Sequence, residues 1–128
     1  MPVPEELVEL LKNYELRLRK GKNSLRAYHQ SLPIMLVYKF RKKNVVIELG
    51  YEEELREHLE DLAEEGEDME AYIDDVLSEL RDIAIESGRL LEEKGYSVEL
   101  RLREGENDIR DLMEEILEEY VEYEYEEE

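Results

Sequence analysis

Five acidic residues are spaced in a way that could serve a metal ion. Glu53, Glu54 and Glu57 form an EExxE group, and Glu79 and Asp82 form an ExxD group further along the chain. Carboxylate oxygens are the ligands that Mg²⁺ prefers in proteins, and a bound Mg²⁺ can polarise a phosphoryl group for hydrolysis. This chemistry requires the carboxylates of both groups to converge on one point.

The EExxE…ExxD spacing resembles that of the MazG-like nucleotide pyrophosphohydrolases, an all-α family that binds magnesium with these residues. The resemblance extends from Glu53 to Asp82. It implies magnesium-dependent hydrolysis of nucleotides, with the five carboxylates as ligands.

The expected helical geometry separates these carboxylates. Glu57 points away from the leucine stripe of a helix predicted near 52–65, because successive residues turn by about 100°. Asp82 lies off the apolar stripe of its own predicted helix. The EExxE spacing also recurs at 114–118 and 118–122, as expected of a chain with 30 Glu. We therefore predict no catalytic residue, no metal site and no cofactor, and expect a protein that is not an enzyme.

Other catalytic patterns are absent from the sequence. The chain has no Cys, which excludes thiol nucleophiles, disulfides and thiolate metal sites. His29 and His58 are its two histidines, and neither belongs to an HExxH or ExxH pattern. GxGxxG, P-loop and GxSxG motifs are also missing. We expect both histidines to lie at the surface.

The charge of the chain is divided unevenly. Its net charge is -20, yet residues 12–43 carry ten basic side chains against the single acid Glu15. Either this segment is neutralised by the acidic remainder, or it forms a basic face that binds an anionic ligand or nucleic acid. The candidate residues for this face are Lys20, Lys22, Arg26, Lys39, Arg41, Lys42 and Lys43.

Hydrophobic periodicity predicts both helices and strands. The expected helices cover about 4–13, 24–31, 52–65, 68–94 and a segment from 107 or 108 to about 120, and the expected strands cover 14–19, 34–41, 45–49 and 96–102. The strands and the helices between them follow the ferredoxin-like order β-α-β-β-α-β, with extra helices. We predict one α+β domain over 1–120, a two-layer sandwich with about four strands and a long helix near 68–94.

The long helix suggests self-association. Its apolar stripe is wider than one small sheet needs, and exposed aliphatic side chains favour association. The candidate residues are Met69, Tyr72, Ile73, Val76, Leu80 and Ile83. We expect a homo-oligomer or a complex with a protein partner.

Two further segments stand out. ELRLRKGKN at 15–23 nearly repeats as ELRLREGEN at 99–107, so the two strands could be neighbours or pseudo-symmetric edges. Residues 121–128 form an acidic Tyr/Glu tail whose alternation predicts an added strand that docks on the basic segment.

Composition leaves three classes of function open. The chain has 30 Glu against 7 Asp, no Thr and one Gln, which is typical of hyperthermophile proteins. No apolar run is long enough to span a bilayer, and MPVPEELVELL lacks the basic start of a signal peptide, so we expect a cytoplasmic protein without membrane contact.

The leading hypothesis is a non-enzymatic interaction protein. The alternatives are a nucleic-acid-associated regulator that uses the basic segment, and an acidic nucleic-acid mimic that uses residues 52–128.

Overall fold

A computed structural model describes residues 3–127 of the chain, with side chains described for 3–120. The described part is an α+β structure with one mixed sheet of five strands and four helices. In chain order the elements are α1 (Glu5–Asn13), β1 (Arg17–Lys20), β2 (Ser24–Tyr28), β3 (Ile34–Arg41), β4 (Asn44–Tyr51), α2 (Leu55–Glu64), α3 (Met69–Glu93), β5 (Ser97–Arg101) and α4 (Arg103–Glu127). The predicted α+β class and long helix are confirmed.

The sheet follows the order of the chain, β1-β2-β3-β4-β5. The first four strands form an antiparallel meander, which short turns can connect. Strand β5 lies parallel to β4, because the chain crosses over through α2 and α3 before it returns. The sheet therefore has two free edges, β1 and β5.

The predicted ferredoxin-like order is wrong, because the segment predicted as the first crossover helix is a strand. Residues 24–28 pair with β1 on one side and with β3 on the other. Leu25 and Ala27 point inward and Arg26 points outward, which is the two-residue period of a strand. This period is hard to recognise in the sequence, because Asn23 and Ser24 could also cap a helix. A fifth strand thus replaces a helix, and the predicted four-stranded count is also wrong.

The helices pack on one face of the sheet. The Tyr38 hydroxyl on β3 lies 2.7 Å from Ser87 Oγ on α3. At the next residue, Gly88, the helix lies close to β5. A Cβ added to Gly88 would be in van der Waals contact with the side chains of Val98 and Leu100. The core also includes Leu7 and Leu11 of α1, Leu55 and Leu59 of α2, and Ile109, Met113 and Ile116 of α4.

The apolar stripe of α3 belongs to this core. Met69, Ile73, Val76, Leu80 and Ile83 are buried within the single chain, and Tyr72 is half-buried. The stripe is therefore not exposed, as the expectation of self-association required, and self-association itself stays a prediction. A fifth strand and three other helices supply the apolar surface that covers α3.

The C-terminal helix differs from the sequence expectation at both ends. It begins at Arg103 rather than at residue 107 or 108, since Gly105 brings the first turn against the carbonyl oxygen of Leu49. Its backbone remains helical to Glu127, where alternation predicted a strand, because Glu favours continuation of a helix that has already formed. The side chains from 121 onward lie outside the described residues, so docking of the tail on the basic segment stays a prediction.

The two copies of the ELRLR repeat are not neighbours. Strand β1 uses Arg17–Lys20 of the first copy and β5 ends at Arg101 within the second, and these strands lie at opposite edges of the sheet. Among the described residues, none of the helices combines the length and apolar composition needed to cross a membrane.

Candidate anion-binding face

One face of the sheet carries exposed basic side chains instead of helices. Side chains alternate between the two faces of a strand. On β3, Tyr38 points into the helical layer while Lys39 and Arg41 point to the other side and are exposed. Cross-strand partners share a face, so the register identifies the remaining members. We call this surface the helix-free face.

A continuous row of paired residues crosses the helix-free face. It consists of Arg19 on β1, Arg26 on β2, Val37 on β3, Glu48 on β4 and Arg101 on β5. Parallel rows add Arg17, Tyr28, Met35 and Gly50 on one side, and Ser24, Lys39, Val46 and Glu99 on the other. The strands thus present six basic side chains and two acidic ones on this face, in a chain whose net charge is -20.

Positive charge is concentrated on the first three strands. We call these residues the basic sheet face: Arg17, Arg19, Arg26, Lys39 and Arg41. Within it, Arg19 lies directly opposite Arg26. Like charges at opposed positions destabilise a sheet, and Arg19 has no ion-pair partner among the described side chains. An anion bound between the two guanidinium groups would relieve this repulsion.

Acidic residues on β4 and just after it neutralise the positive charge of the basic sheet face only in part. Lys39 Nζ lies 2.6 Å from Glu48 Oε1. Arg26 reaches Glu52 only at 3.9 Å, and the same carboxylate accepts a hydrogen bond of 2.9 Å from the Tyr28 hydroxyl. Ion pairs as exposed as these are weak, at about 0–1 kcal/mol each. They leave the guanidinium of Arg26 available to a stronger anionic partner.

Two open clefts flank Arg19. One, of about 340 Å³, is lined by Arg19, Lys20, Gly21, Ser24 and Arg26. Its lining contains three cations and no carboxylate. The other, of about 600 Å³, is lined by Arg17, Leu18, Arg19, Tyr28, Pro33, Glu52, Glu54 and His58. The smaller cleft therefore has the lining expected of a phosphate or carboxylate site.

The structure brings the predicted basic residues to one side and one end of the sheet. Arg26, Lys39 and Arg41 lie on the helix-free face. Lys22 lies in the β1–β2 turn, and Lys42 and Lys43 form the β3–β4 turn. Both turns are at the same end, because the backbone N–H of Phe40 donates to the carbonyl of Asn23 at 2.8 Å. Lys20 has its side chain on the opposite face of the edge strand but lines the smaller cleft.

Sequence reasoning omitted two central residues of the site. Arg17 and Arg19 were not among the candidates, although they alternate with Leu16 and Leu18 and must therefore share a face. Recognising β2 as a strand would have placed Arg26 beside them. Arg17 holds its guanidinium carbon 5.1 Å from the centre of the Tyr28 ring, a cation–π distance.

The carboxylates of the EExxE and ExxD groups are not brought together. Glu53 and Glu54 precede α2, Glu57 is exposed on α2, and Asp82 is exposed on α3. Within 3–120, where side chains are described, no group of three or more His, Asp or Glu residues is arranged to hold a metal ion. The geometry therefore adds no support to a magnesium-dependent hydrolase.

The two histidines differ in environment. His58 is exposed, as expected, but the expectation is wrong for His29, whose side chain is only 7% exposed. The backbone N–H of Ser31 donates to His29 Nδ1 at 3.0 Å, so Nε2 carries the proton and donates to Glu79 at 3.1 Å. Because both ring nitrogens are engaged, this imidazole acts as a structural link between the β2–β3 loop and α3.

Comparisons with protein-family models, with curated proteins and with solved structures find no match to this chain. The case for a function therefore depends on the geometry of the helix-free face.

Proposed function

We propose that this is a non-enzymatic binding protein that holds a single strand of nucleic acid on the basic sheet face. The observation that carries the proposal is the opposed pair Arg19 and Arg26, two exposed guanidinium groups in direct cross-strand register. A phosphate placed between them would accept hydrogen bonds from both. Arg suits this role because its planar fork of donors matches the geometry of phosphate oxygens.

The arrangement of the cations suits an extended polyanion rather than one small ligand. The basic residues occupy three neighbouring strands, which lie about 4.8 Å apart. Arg17 and Arg19 are two positions apart on one strand, as are Lys39 and Arg41 on another. Their side chains follow one another along the sheet surface at spacings of about 5–7 Å. A phosphodiester chain crossing these strands meets several cations in succession.

The acidic remainder of the protein restricts where such a ligand can lie. Most acidic residues of 52–128 are on α2, α3 and α4, whereas the basic sheet face is on the other side of the sheet. At physiological ionic strength, charges more than about 8 Å away are strongly screened. A bound strand is therefore attracted locally by the face and excluded from the helical side.

The proposal implies binding with little sequence preference. Base-stacking domains use exposed aromatic rings on the sheet, but Tyr28 is 5% exposed and its ring contacts Arg17. Val37 and Val46 are half-buried and offer only small apolar contacts. We therefore expect the phosphate backbone to contribute most of the affinity.

Fluorescence anisotropy with a labelled oligothymidylate tests the proposal. The wild-type protein should bind at low salt, and the affinity should fall steeply between about 50 and about 200 mM salt. The double variant Arg19→Glu, Arg26→Glu should bind at least roughly tenfold more weakly, with a salt slope smaller by about 0.7, since the phosphate held between the two guanidinium groups contributes about 0.7 on a single strand.

The matched control is Arg89→Glu, an equal change of charge per residue at an exposed position on α3. It should leave binding unchanged if the face, not the overall charge, binds the strand. Wild-type protein that does not bind the oligonucleotide at low salt would refute the proposal. Tighter binding of a polyglutamate peptide than of the oligonucleotide would instead assign the face to an acidic protein partner.

A further inference from the structure

Strand β5 leaves one edge of the sheet unpaired. The backbone N–H of Ser97 bonds inward, to the carbonyl of Lys43 at 2.7 Å. Because alternate residues of a strand direct their backbone groups to opposite edges, those of Val98 and Leu100 point outward. Within the described residues the sheet ends here. Free strand edges of this kind pair readily with other strands.

Exposed apolar side chains lie beside this edge. Leu100 is 44% exposed, and Ile85 on α3 is 37% exposed. Ile85 lies about one helical turn before Gly88, whose missing side chain lets Leu100 approach the helix. Leu100 belongs to the helix-covered layer but extends beyond the cover that α3 provides. A partner on this edge would remove both side chains from water.

We propose that β5 pairs with β5 of a second copy, antiparallel and about a twofold axis through Leu100. In this register Leu100 meets its own counterpart. Glu99 then faces Arg101 of the second copy, and Arg101 faces the other Glu99, so two opposite-charge pairs form. Both pairs lie on the helix-free face, where cross-strand charge pairs are favourable. The outward backbone groups of Leu100 are those that this pairing uses.

Other edge pairings are less favourable. An axis through Glu99 would place the two Glu99 carboxylates opposite each other. An axis through Val98 would place Arg101 opposite Gly95 of the second copy, so Arg101 would gain no acidic partner beyond Glu99 of its own chain. Strand β1 (Arg17–Lys20) contains no acidic residue, so self-pairing at the β1 edge forms no opposite-charge pair within the strand. Charge complementarity therefore selects β5 and one register.

The pairing would join two five-stranded sheets into one of ten strands. Because the twofold axis is perpendicular to the sheet, both helix-free faces lie on the same side of the dimer. The two β2 strands would be seven strand spacings apart, which is about 34 Å. The proposal does not depend on nucleic-acid binding by the basic sheet face.

Sedimentation equilibrium over micromolar to millimolar protein tests the proposal with charge-reversal variants. The wild-type protein should reach twice the monomer mass. Glu99→Arg and Arg101→Glu should each raise the dimer dissociation constant at least roughly tenfold, because each creates two like-charge pairs. An equimolar mixture of the two variants should dimerise again, because every pair in the heterodimer has opposite charges.

Arg19→Glu at the other edge is the control and should leave the mass unchanged. Circular dichroism establishes that each variant remains folded. A wild-type monomer at millimolar concentration would refute the proposal. Dimers of both single variants, or a mixture that stays monomeric, would show that the copies associate through another surface or register.

Discussion

The hydroxyl of Tyr38 on β3 donates a hydrogen bond to Ser87 Oγ on α3, and the two oxygens are 2.7 Å apart. Ser87 in turn donates to the carbonyl of Ala84 at 3.0 Å, which settles the direction of both bonds. Tyr38 is fully buried, and Ser87 is a buried polar residue of the core. This chain of two hydrogen bonds joins the central strand of the sheet to its long helix.

Ser87→Ala should destabilise the protein more than Tyr38→Phe. The first change leaves a buried hydroxyl unpaired, at a cost of about 1–3 kcal/mol. The second leaves Ser87 bonded to Ala84 and should cost about 0.5–1.5 kcal/mol. The double variant should cost less than the sum of the two. Urea unfolding of the four proteins measures the cycle, and additive losses would show that the bond contributes nothing of its own.

Tyr38 should also weaken the fold at alkaline pH. Burial raises the pKa of Tyr38 well above its ordinary value of 10.0. The unfolded chain therefore loses this proton first as the pH rises above 10. Stability that is present below pH 10 should fall by up to about 1.4 kcal/mol per pH unit above it. Tyr38→Phe should show a shallower decline in unfolding free energy between pH 9 and 11, and parallel curves would contradict the assignment.

The sequence pattern predicts the long elements. The one-sided stripe of α3 and the apolar run that begins β3 lie within a few residues of the observed bounds of these elements. The ambiguous case was 24–31, where a polar residue that can cap a helix also fits a hairpin turn. Only the tertiary pairing with β1 and β3 resolves it. The prediction of a helix where β2 forms is thus what made the predicted sheet topology wrong.

The candidate site was harder to predict for the same reason. The sequence indicated a basic segment, but which cations share a surface depends on strand register. Arg19 and Arg26 are separated by a turn in sequence and become direct neighbours only when β1 and β2 pair. Likewise, the ELRLR repeat left open whether the strand of Leu100 is an edge or a neighbour of the first copy, and only the strand order of the folded sheet decides this.

Replacement by alanine should affect the stability of the protein differently at two helical glycines. A Cβ on Gly105 would lie 2.0 Å from the backbone oxygen of Leu49, whereas a Cβ on Gly88 would be 3.4 Å from the nearest side-chain atom. Alanine favours a helix by about 1 kcal/mol over glycine. Gly88→Ala should therefore be neutral or stabilising, while Gly105→Ala should destabilise by about 2 kcal/mol or more, because α4 must move away from β4. Thermal unfolding of the two variants gives the comparison, and equal shifts would contradict the close approach.

Arg56 should stabilise the contact between α2 and α4 in a salt-dependent way. Its guanidinium lies 3.3 Å from Glu115 and 3.1 Å from Glu119 of α4, and 3.9 Å from Glu60 of its own helix. These pairs are more than one-third exposed, so each contributes little, and together we expect about 1 kcal/mol. Arg56→Ala should lower the unfolding free energy by this amount at low salt and by less at high salt, as screening weakens the pairs.

Arg89→Ala on α3 is the control, because Arg89 forms no ion pair among the described side chains. An equal loss in both variants at all salt concentrations would attribute the effect to side-chain packing instead of charge.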